Sequence, residues 1–222
     1  MKNAPSDTTR KRRILIVDDH AIVRLGIRKL IDTEPDLSIC GEAETTEQAL
    51  DLVRTATPDL AIVDLSLGET HGLQLVRQLH ETFPALLLLV LSMHDEALFA
   101  ERVIRAGARG YIMKKGAIDG LVHAIRHVLA GRIYASESVA QDLLAGLTLG
   151  SAAAGNPIDA LTDRELEVLE MIGRGTSTSG IAKELGVSVK TIETYRANLK
   201  TKLKLKSGAE LVRYAVTWLT QP

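Results

Sequence analysis

The sequence predicts an α/β domain built on a five-stranded, doubly wound parallel sheet, followed by a second, smaller all-α helix-turn-helix domain. Three observations carry this expectation. Short apolar runs alternate five times with amphipathic stretches over residues 13–130, the pattern of βα units with helices on both faces. Carboxylates close the first and third runs, at Asp18-Asp19 and Asp64, and in an open parallel sheet ligands bind at the carboxyl ends of the strands. Near the C-terminus, Gly186-Val187-Ser188 separates two helical patterns, as in a helix-turn-helix.

Composition narrows the function classes. At 222 residues the chain has material for one or two domains, and 45% hydrophobic against 25% charged residues is ordinary for a globular protein. A formal net charge of −1 excludes a globally basic protein, so any basic surface must be local. Cys40 is the single cysteine, which excludes an intramolecular disulfide; with six scattered histidines it offers no zinc-ligand spacing, and a reducing cytoplasm fits best. Residues 1–12 read as a disordered lead-in, with the basic cluster Arg10-Lys11-Arg12-Arg13 solvated. The apolar runs at 14–17 and 86–91 are too short for a signal peptide or a membrane span, so no membrane partner is expected.

Taken in order, strands are expected at 14–17, 37–42, 60–63, 86–91 and 110–113. The third is continuously apolar, as a strand covered on both faces would be, and Pro58-Asp59 read as the turn leading into it. The first helix takes Ile22, Leu25, Ile27 and Leu30 as its apolar stripe and is stopped by Pro35-Asp36; the others lie near 47–54, 72–81, 96–105 and 118–129.

This topology gathers Asp18, Asp19, Asp64, Ser92 and Lys114 along one edge of the sheet. A lone Asp at a strand end is as often the cap of the next helix; the company of Asp64 argues for more. Three carboxylates repel one another unless a cation neutralises them, and a hard, oxygen-seeking ion such as Mg²⁺ suits carboxylates plus water and a phosphate. Lys114 can balance an incoming anion as a point charge, and Ser92 can hydrogen-bond to it. The set reads as a site for a phosphoryl group carried on Asp64, because carboxylate nucleophiles form aspartyl-phosphates.

Ile16-Val17-Asp18-Asp19, Val63-Asp64-Leu65, Leu91-Ser92 and Gly110-Tyr111-Ile112-Met113-Lys114 resemble the ordered marks of the receiver domain of two-component response regulators, a flavodoxin-like fold, over residues 13–130. The resemblance implies Asp64 as phospho-acceptor and Asp18, Asp19, Asp64 and the Ser66 carbonyl at a Mg²⁺ site. It also implies Lys114 on the phosphoryl group, Ser92 and Tyr111 as a switch pair, and a histidine kinase as donor. The sequence departs from the family at Leu67-Gly68, where Met-Pro is common, and at Lys115, where a small, acidic or proline residue is usual. Gly68 implies a more mobile loop. Ser66 and His94 flank the acceptor at positions that tune hydrolysis in the family; His94 reads equally well as a surface helix cap. Phosphate on Asp64 would add close to two negative charges. Ser92 moving to bond it would vacate space beside the fourth strand, which Tyr111 could rotate inward to fill, a population shift that alters the outer face.

Residues 131–157 read as a connector: Ser136 caps a short helix with Val139, Leu143, Leu144 and Leu147, and 149–157 form a small, uncharged, Gly- and Pro-punctuated linker. In residues 158–222, Thr162 and Glu165 have the spacing of a capping box, and Leu166, Val168, Leu169 and Ile172 continue that helix toward Gly173 and Gly175. Ser179 is expected to start the helix 181–185 and residues 189–205 to form the next one. On the latter, Ile192, Leu199 and Leu203 make an inward stripe, leaving Lys190, Thr194, Ala197 and Thr201 outward with Glu193 and Asn198 on the shoulders. From Lys190 to Lys206 there are six basic residues against the single acid Glu193. That net positive stripe spans about 25 Å of helix, with an ordinary solvated face as the bland reading.

Leu161-Thr162-Asp163-Arg164-Glu165, Ile181-Ala182-Lys183-Glu184-Leu185, Val189-Lys-Thr-Ile-Glu-Thr-Tyr-Arg196 and Lys202-Leu203 resemble the LuxR-type output domain of the NarL/FixJ class of response regulators. The resemblance implies that residues 189–204 are a recognition helix for the major groove. Two departures are the stretch Thr176-Ser-Thr-Ser-Gly180 and Tyr195, which stands where His is frequent. By chemistry, Lys190, Arg196 and Lys200 suit phosphates. Glu193, Thr194, Ala197 and Asn198 suit base edges, with Thr191 a further DNA contact. Paired half-sites require a dimer, for which the last helix, with Leu211, Val212, Tyr214, Ala215 and Trp218, offers a modest face.

The chain therefore reads as a cytoplasmic two-component response regulator and DNA-binding transcription factor, not an enzyme. Its expected company is Mg²⁺, a cognate histidine kinase, promoter DNA, a second copy of itself on activation, and RNA polymerase as a further candidate. Two rivals stand beside this reading. One is an enzyme turning over through phospho-Asp64, against which counts the lack of a second domain offering a substrate cleft. The other is a phosphorylation-independent DNA-binding regulator controlled by a partner or ligand at the receiver, hinted at only by the Gly68 loop.

Overall fold

The structure, a computed structural model, describes residues 10–67, 70–136, 139–141 and 157–220. The chain divides into two compact units, Met1–Ala140 and Gln141–Pro222. The first contains β1 (Arg12–Val17), α1 (Ala21–Asp32), β2 (Leu37–Ala43), α2 (Thr46–Ala56), β3 (Leu60–Asp64), β4 (Ser66–Leu67), β5 (Thr70–His71), α3 (Gly72–Thr82), β6 (Leu87–Ser92), α4 (Glu96–Arg105), β7 (Gly110–Met113) and α5 (Ala117–Leu129).

Five of the strands form one parallel sheet in the order β2-β1-β3-β6-β7. The connections reverse direction between β1 and β3, which opens a crevice at the carboxyl ends of those two strands. Val17 lies opposite Val63, and Asp64 opposite Leu91, so the acid at the end of β3 falls beside the residues that follow β1. Every residue of β3 is buried. Ile14, Ile16, Leu60, Ile62, Leu89 and Leu91 pack with Ile27 and Ile31 of α1 and Leu121 and Ile125 of α5 in one apolar cluster.

The structure departs from the sequence expectation at β1, on α1 and after Asp64. β1 starts at Arg12, so Arg12 and Arg13 belong to the sheet and not to the lead-in: Arg12 donates its N–H to Asp36 O at 2.8 Å, and Asp59 accepts from Arg13 N at 2.7 Å. A strand between two neighbours must pair these groups. On α1 the stripe is misread, since Ile22 and Leu25 are 76% and 48% exposed while Arg24, Ile27 and Ile31 are buried. At 100° per residue, Ile22 and Leu25 stand about 140° and 160° from Ile27, and Arg24 only about 60°. The stretch after Asp64, read as a loop, forms a small antiparallel hairpin in which Ser66 pairs with His71 and Leu67 with Thr70. The mobility expected of Gly68 concerns a position outside the described residues.

Gly72 begins α3 against the end of β3. A Cβ there would stand 1.9 Å from the Asp64 carbonyl oxygen, and Gly72 donates its N–H to Leu65 O at 2.8 Å. Glycine is required by this close approach. Gly26, in the exposed interior of α1, is the opposite case, with nothing within 4 Å of a built Cβ. Gly26→Ala is expected to raise stability by about 0.5–1 kcal/mol, read as a higher urea midpoint, because glycine carries excess unfolded-state entropy.

Past α5 the chain returns to the sheet edge. Tyr134 donates to Arg109 O at 2.9 Å and accepts from Tyr111 N at 3.0 Å, which covers the open side of β7. Ser136 then donates its N–H to Glu96 Oε1 at 2.7 Å and accepts from Val139 N at 3.4 Å. Residues 139–141 are helical; Leu143, Leu144, Leu147 and the linker up to residue 156 lie outside the described residues.

In the second unit, α6 (Asp163–Gly173), α7 (Thr178–Glu184), α8 (Val189–Lys202) and α9 (Gly208–Thr220) pack together. Thr162 and Glu165 form the capping box. Ser177, not Ser179, caps α7, accepting from Gly180 N at 3.1 Å: its backbone is extended, at φ −68° and ψ 156°, while Ser179 already lies in the first turn. Gly186 turns at φ 65° and Ser188 caps α8. α8 ends at Lys202, short of the expected 205, because Lys204 adopts a left-handed φ of 56°. Ile192, Leu199 and Leu203 of the expected stripe are buried, as are Leu211 and Ala215 of α9, whereas Val212 and Val216 are exposed. Among the described residues no helix is long and apolar enough to cross a membrane.

Candidate functional site

At the carboxyl edge of the first unit, β1 runs out at Val17 and the chain turns through Asp18. Asp18 donates its N–H to Ala43 O at 3.1 Å, and its Oδ1 accepts from His20 N at 2.8 Å. Asp64, the last residue of β3, is buried. Lys114, the residue after β7, places Nζ 2.7 Å from Asp64 Oδ2 and 2.9 Å from Asp18 Oδ2, so one ammonium bridges two buried carboxylates. Asp19 is more open to solvent, with Oδ1 2.6 Å from His20 Nδ1.

The electrostatics follow from that packing. Burial pushes the Asp64 carboxyl up to about 6; Lys114 opposes the rise, Asp18 adds to it, and the backbone N–H of Ser66 works against it. Burial works to lower the Lys114 ammonium, but the charges and hydrogen bonds of Asp64 and Asp18 outweigh it, and its pKa is raised. The donor atoms of Asp18, Asp19, His20 and Asp64 all lie within 4.8 Å of one another. Oδ1 of Asp64 is buried with no hydrogen-bond partner among the described residues, a costly state for an acceptor unless something else satisfies it. An orphaned carboxylate oxygen beside two further carboxylates fits a hard, oxygen-seeking cation.

Ser92 is buried at the end of β6 and accepts the N–H of His94 at 3.1 Å. Tyr111 is already inward: its ring is buried, and its hydroxyl donates to His94 O at 2.8 Å. The outward resting position from which it was expected to rotate is therefore not the one found. His94 is no surface cap either. It is buried, its ring centroid lies 4.7 Å from that of Phe99, and its Nε2 lies 3.4 Å from Ser66 Oγ. Asp95 caps α4 instead, accepting from Ala97 N at 3.1 Å.

In the second unit, α8 exposes Lys190, Glu193, Thr194, Ala197 and Asn198, with Thr191, Arg196 and Lys200 half-buried. The Thr191 hydroxyl is engaged with Ser188 Oγ at 2.8 Å and that of Thr194 donates to Lys190 O at 3.1 Å. Lys202 turns away from this face, its Nζ 2.6 Å from Glu165 Oε2. Burial works to raise the Glu165 carboxyl, but Lys202 and Thr162 overcome it and its pKa is lowered. The basic stripe is thus shorter than expected: Lys202 is paired with α6, and Lys204 and Lys206 lie beyond the helix end.

Residues 14–126 match the family described as response regulator receiver domain, and residues 159–215 the one described as bacterial regulatory proteins, luxR family. The chain is a response regulator of the NarL/FixJ type. This regulator is 35% identical to the oxygen regulatory protein NreC of Staphylococcus haemolyticus over 210 residues, covering 92% of this chain and 96% of the relative. The NreC of Staphylococcus aureus strain MRSA252 matches with the same identity, length and coverage.

Among solved structures, the RcsB response regulator of Salmonella typhimurium aligns with a TM-score of 0.63 at 27% identity, covering 94% of the regulator and 98% of that chain. RcsB of Salmonella enterica serovar Typhimurium bound to promoter rprA with the phosphomimetic BeF3− aligns at 0.60 and 27%, covering 93% and 98%. A LuxR-family two-component response regulator from Aurantimonas sp. SI85-9A1 aligns at 0.56 and 36%, covering 62% of the regulator and 99% of that chain.

The first unit of the regulator brings together Asp18, Asp19, Asp64 and Lys114, with Ser66, Ser92 and Tyr111 alongside. Sequence reasoning missed His20, although it directly follows the acidic pair, and Gly72, whose sole signal was its place at the start of a helix. It also missed Arg24, which contacts the backbone of Asp18.

Proposed function

We propose that the regulator is switched by phosphorylation of Asp64 by a histidine kinase and then binds promoter half-sites as a dimer. The observation that carries this reading is the single ammonium of Lys114 shared by Asp64 and Asp18 beside the orphaned Asp64 Oδ1. Asp18, Asp19, Asp64 and the Ser66 carbonyl would hold Mg²⁺, which when bound neutralises charge on the phosphoryl oxygens. Ionised Asp64 attacks phosphorus, the new O–P bond forming as the bond to the donor's imidazole nitrogen breaks. Lys114 then turns from the carboxylates to the phosphoryl group. Ser92 Oγ, which now accepts from His94 N, donates to a phosphoryl oxygen, and the Tyr111 hydroxyl on His94 O carries the change to α4 and β7. RcsB bound to promoter DNA with a phosphomimetic supports this reading by analogy.

On α8, Lys190, Arg196 and Lys200 would contact phosphates, while Glu193, Thr194, Ala197 and Asn198 face base edges and Thr191 stays near the cap. Lys190→Gln is expected to reduce the slope of log affinity against log salt by about one. Lys202→Gln should leave that slope unchanged and lower the melting temperature, since it strips the buried Glu165 of its ammonium. Fluorescence anisotropy across a salt series, beside thermal melts, separates the two.

The testing experiment is DNA affinity and solution mass before and after a small phosphodonor with Mg²⁺, for wild type and Asp64→Asn. Tighter binding and a larger species in wild type alone is the expected result. The inward Tyr111 favours a second reading, control of DNA binding by a partner or ligand without phosphate; equal behaviour of both proteins, phosphodonor or not, would select it.

A further inference from the structure

Arg24 occupies a place on α1 where the apolar stripe of Ile27 and Ile31 would be served by leucine. Its residue exposure is 7%, and each arm of the guanidinium is engaged. Nη1 donates to the backbone oxygen of Asp18 at 2.7 Å, Nε to Glu42 Oε2 at 3.3 Å, and Nη2 is bonded to Glu44. Arg28 takes the other oxygen of Glu42, its Nε at 2.7 Å.

We propose that Arg24 is a positioning residue for cation binding at the acidic pair, holding the Asp18 carbonyl so that the side chains of Asp18 and Asp19 stay turned toward Asp64. The inference rests on the reading of this edge as a phosphoryl and cation site. β1 loses its ladder partners at Val17, which pairs with Ala43 and Val63. The Asp18 N–H still reaches Ala43 O, but its carbonyl lies past the sheet and takes its partner from Arg24. A backbone oxygen at the edge of a buried cluster needs such a partner. With N–H, carbonyl and Oδ1 all committed, the Asp18-Asp19 peptide has little freedom to rotate.

Charge bookkeeping supports the same role. An uncompensated guanidinium beside a cation site would repel the cation. Glu42 and Glu44, within and just past the end of β2, pair with Arg24 and cancel that repulsion, leaving the donated hydrogen bond as its main effect on Asp18. A buried arginine held by two carboxylates is expensive to desolvate and contributes little to stability beyond an apolar residue of its size. Lysine could not reach three acceptors set around a planar fork.

The test titrates Mg²⁺ alone into the full chain by calorimetry, for wild type, Arg24→Gln, Arg24→Lys and Arg28→Gln. Arg24→Gln is expected to raise the half-saturating Mg²⁺ concentration on the order of tenfold or more, as loss of a partner behind a metal ligand does. Arg24→Lys should recover part of this. Arg28→Gln should retain wild-type binding although it removes an ion pair to the same Glu42. Labelling from a small phosphodonor should be slow in Arg24→Gln at low Mg²⁺ and return at saturating Mg²⁺.

Should Arg24→Gln fail to fold, the pair Glu42→Gln with Glu44→Gln, which unaims the guanidinium and leaves its charge unbalanced, is expected to weaken Mg²⁺ binding in the same direction. A lower melting temperature with an unchanged Mg²⁺ midpoint in the Arg24 variants, or no weakening in the double variant, would overturn the positioning role while the phosphoryl reading stood. Wild type that neither binds Mg²⁺ nor takes up phosphoryl would overturn both.

Discussion

Gly72→Ala is expected to abolish phosphoryl uptake on Asp64 and to destabilise the first unit by about 3 kcal/mol or more, the upper end for overpacking. The added Cβ would stand 1.9 Å from the Asp64 carbonyl oxygen and 2.7 Å from Leu65 Cα. Both are backbone atoms, and Asp64 is held in the sheet opposite Leu91. No side chain can rotate away to relieve the contact. Either α3 retreats, exposing Leu73, Leu75, Val76 and Leu79, which are now buried, or the end of β3 moves and carries Asp64 off Lys114. Gly120→Ala is the matched control, since its nearest neighbour would be the Tyr134 hydroxyl at 3.6 Å, and the alanine favours the helix. Thermal melts and phosphodonor labelling of both variants decide the matter; a Gly72→Ala protein that melts and labels like wild type would remove the close-packing argument.

Asp64→Asn is expected to be more stable than wild type above pH 7 without divalent cations, by up to about 3 kcal/mol. The carboxyl titrates near 3.8 in the unfolded chain and is raised to about 6 by burial in the folded one. A folded pKa above the unfolded value means that the folded state holds its proton more tightly. The cost of ionised Asp64 is therefore absent below pH 3.8, grows between that pH and about 6, and is fully present above. Asparagine, which cannot ionise, escapes it. The stability gap between the two proteins should close as pH falls from 7 to 4, and saturating Mg²⁺ should close it at pH 7 by favouring the ionised carboxylate. Urea unfolding of both proteins at pH 5 and pH 8, with and without Mg²⁺, provides the check. An asparagine variant less stable at both pH values would show that the bond to Lys114 outweighs burial, contrary to the raised pKa.

What the sequence by itself determined are the features set by short-range terms. The five apolar runs, the acids that close two of them, the capping box of Thr162 and Glu165, and the inward stripe Ile192, Leu199 and Leu203 all follow from residue periods and local hydrogen bonds. They are legible because a strand alternates or stays apolar, and a cap sits three residues from its donor, wherever the rest of the chain lies. The wider grouping of Asp18, Asp64 and Lys114 was also within reach, since one parallel topology puts all three at the same sheet edge.

Only the tertiary structure decided which way individual side chains turn when their partners are distant in sequence. Arg24 faces inward and Ile22 outward because Asp18 O, Glu42 and Glu44 offer the guanidinium three acceptors there. His94 is buried because the Phe99 ring and the Tyr111 hydroxyl close over it. Lys202 leaves the basic face because Glu165, on another helix, pairs with it. Gly72 is irreplaceable because two backbone segments meet where no side chain fits. Such choices depend on the charge and volume that the whole fold delivers to one point, which no local period encodes.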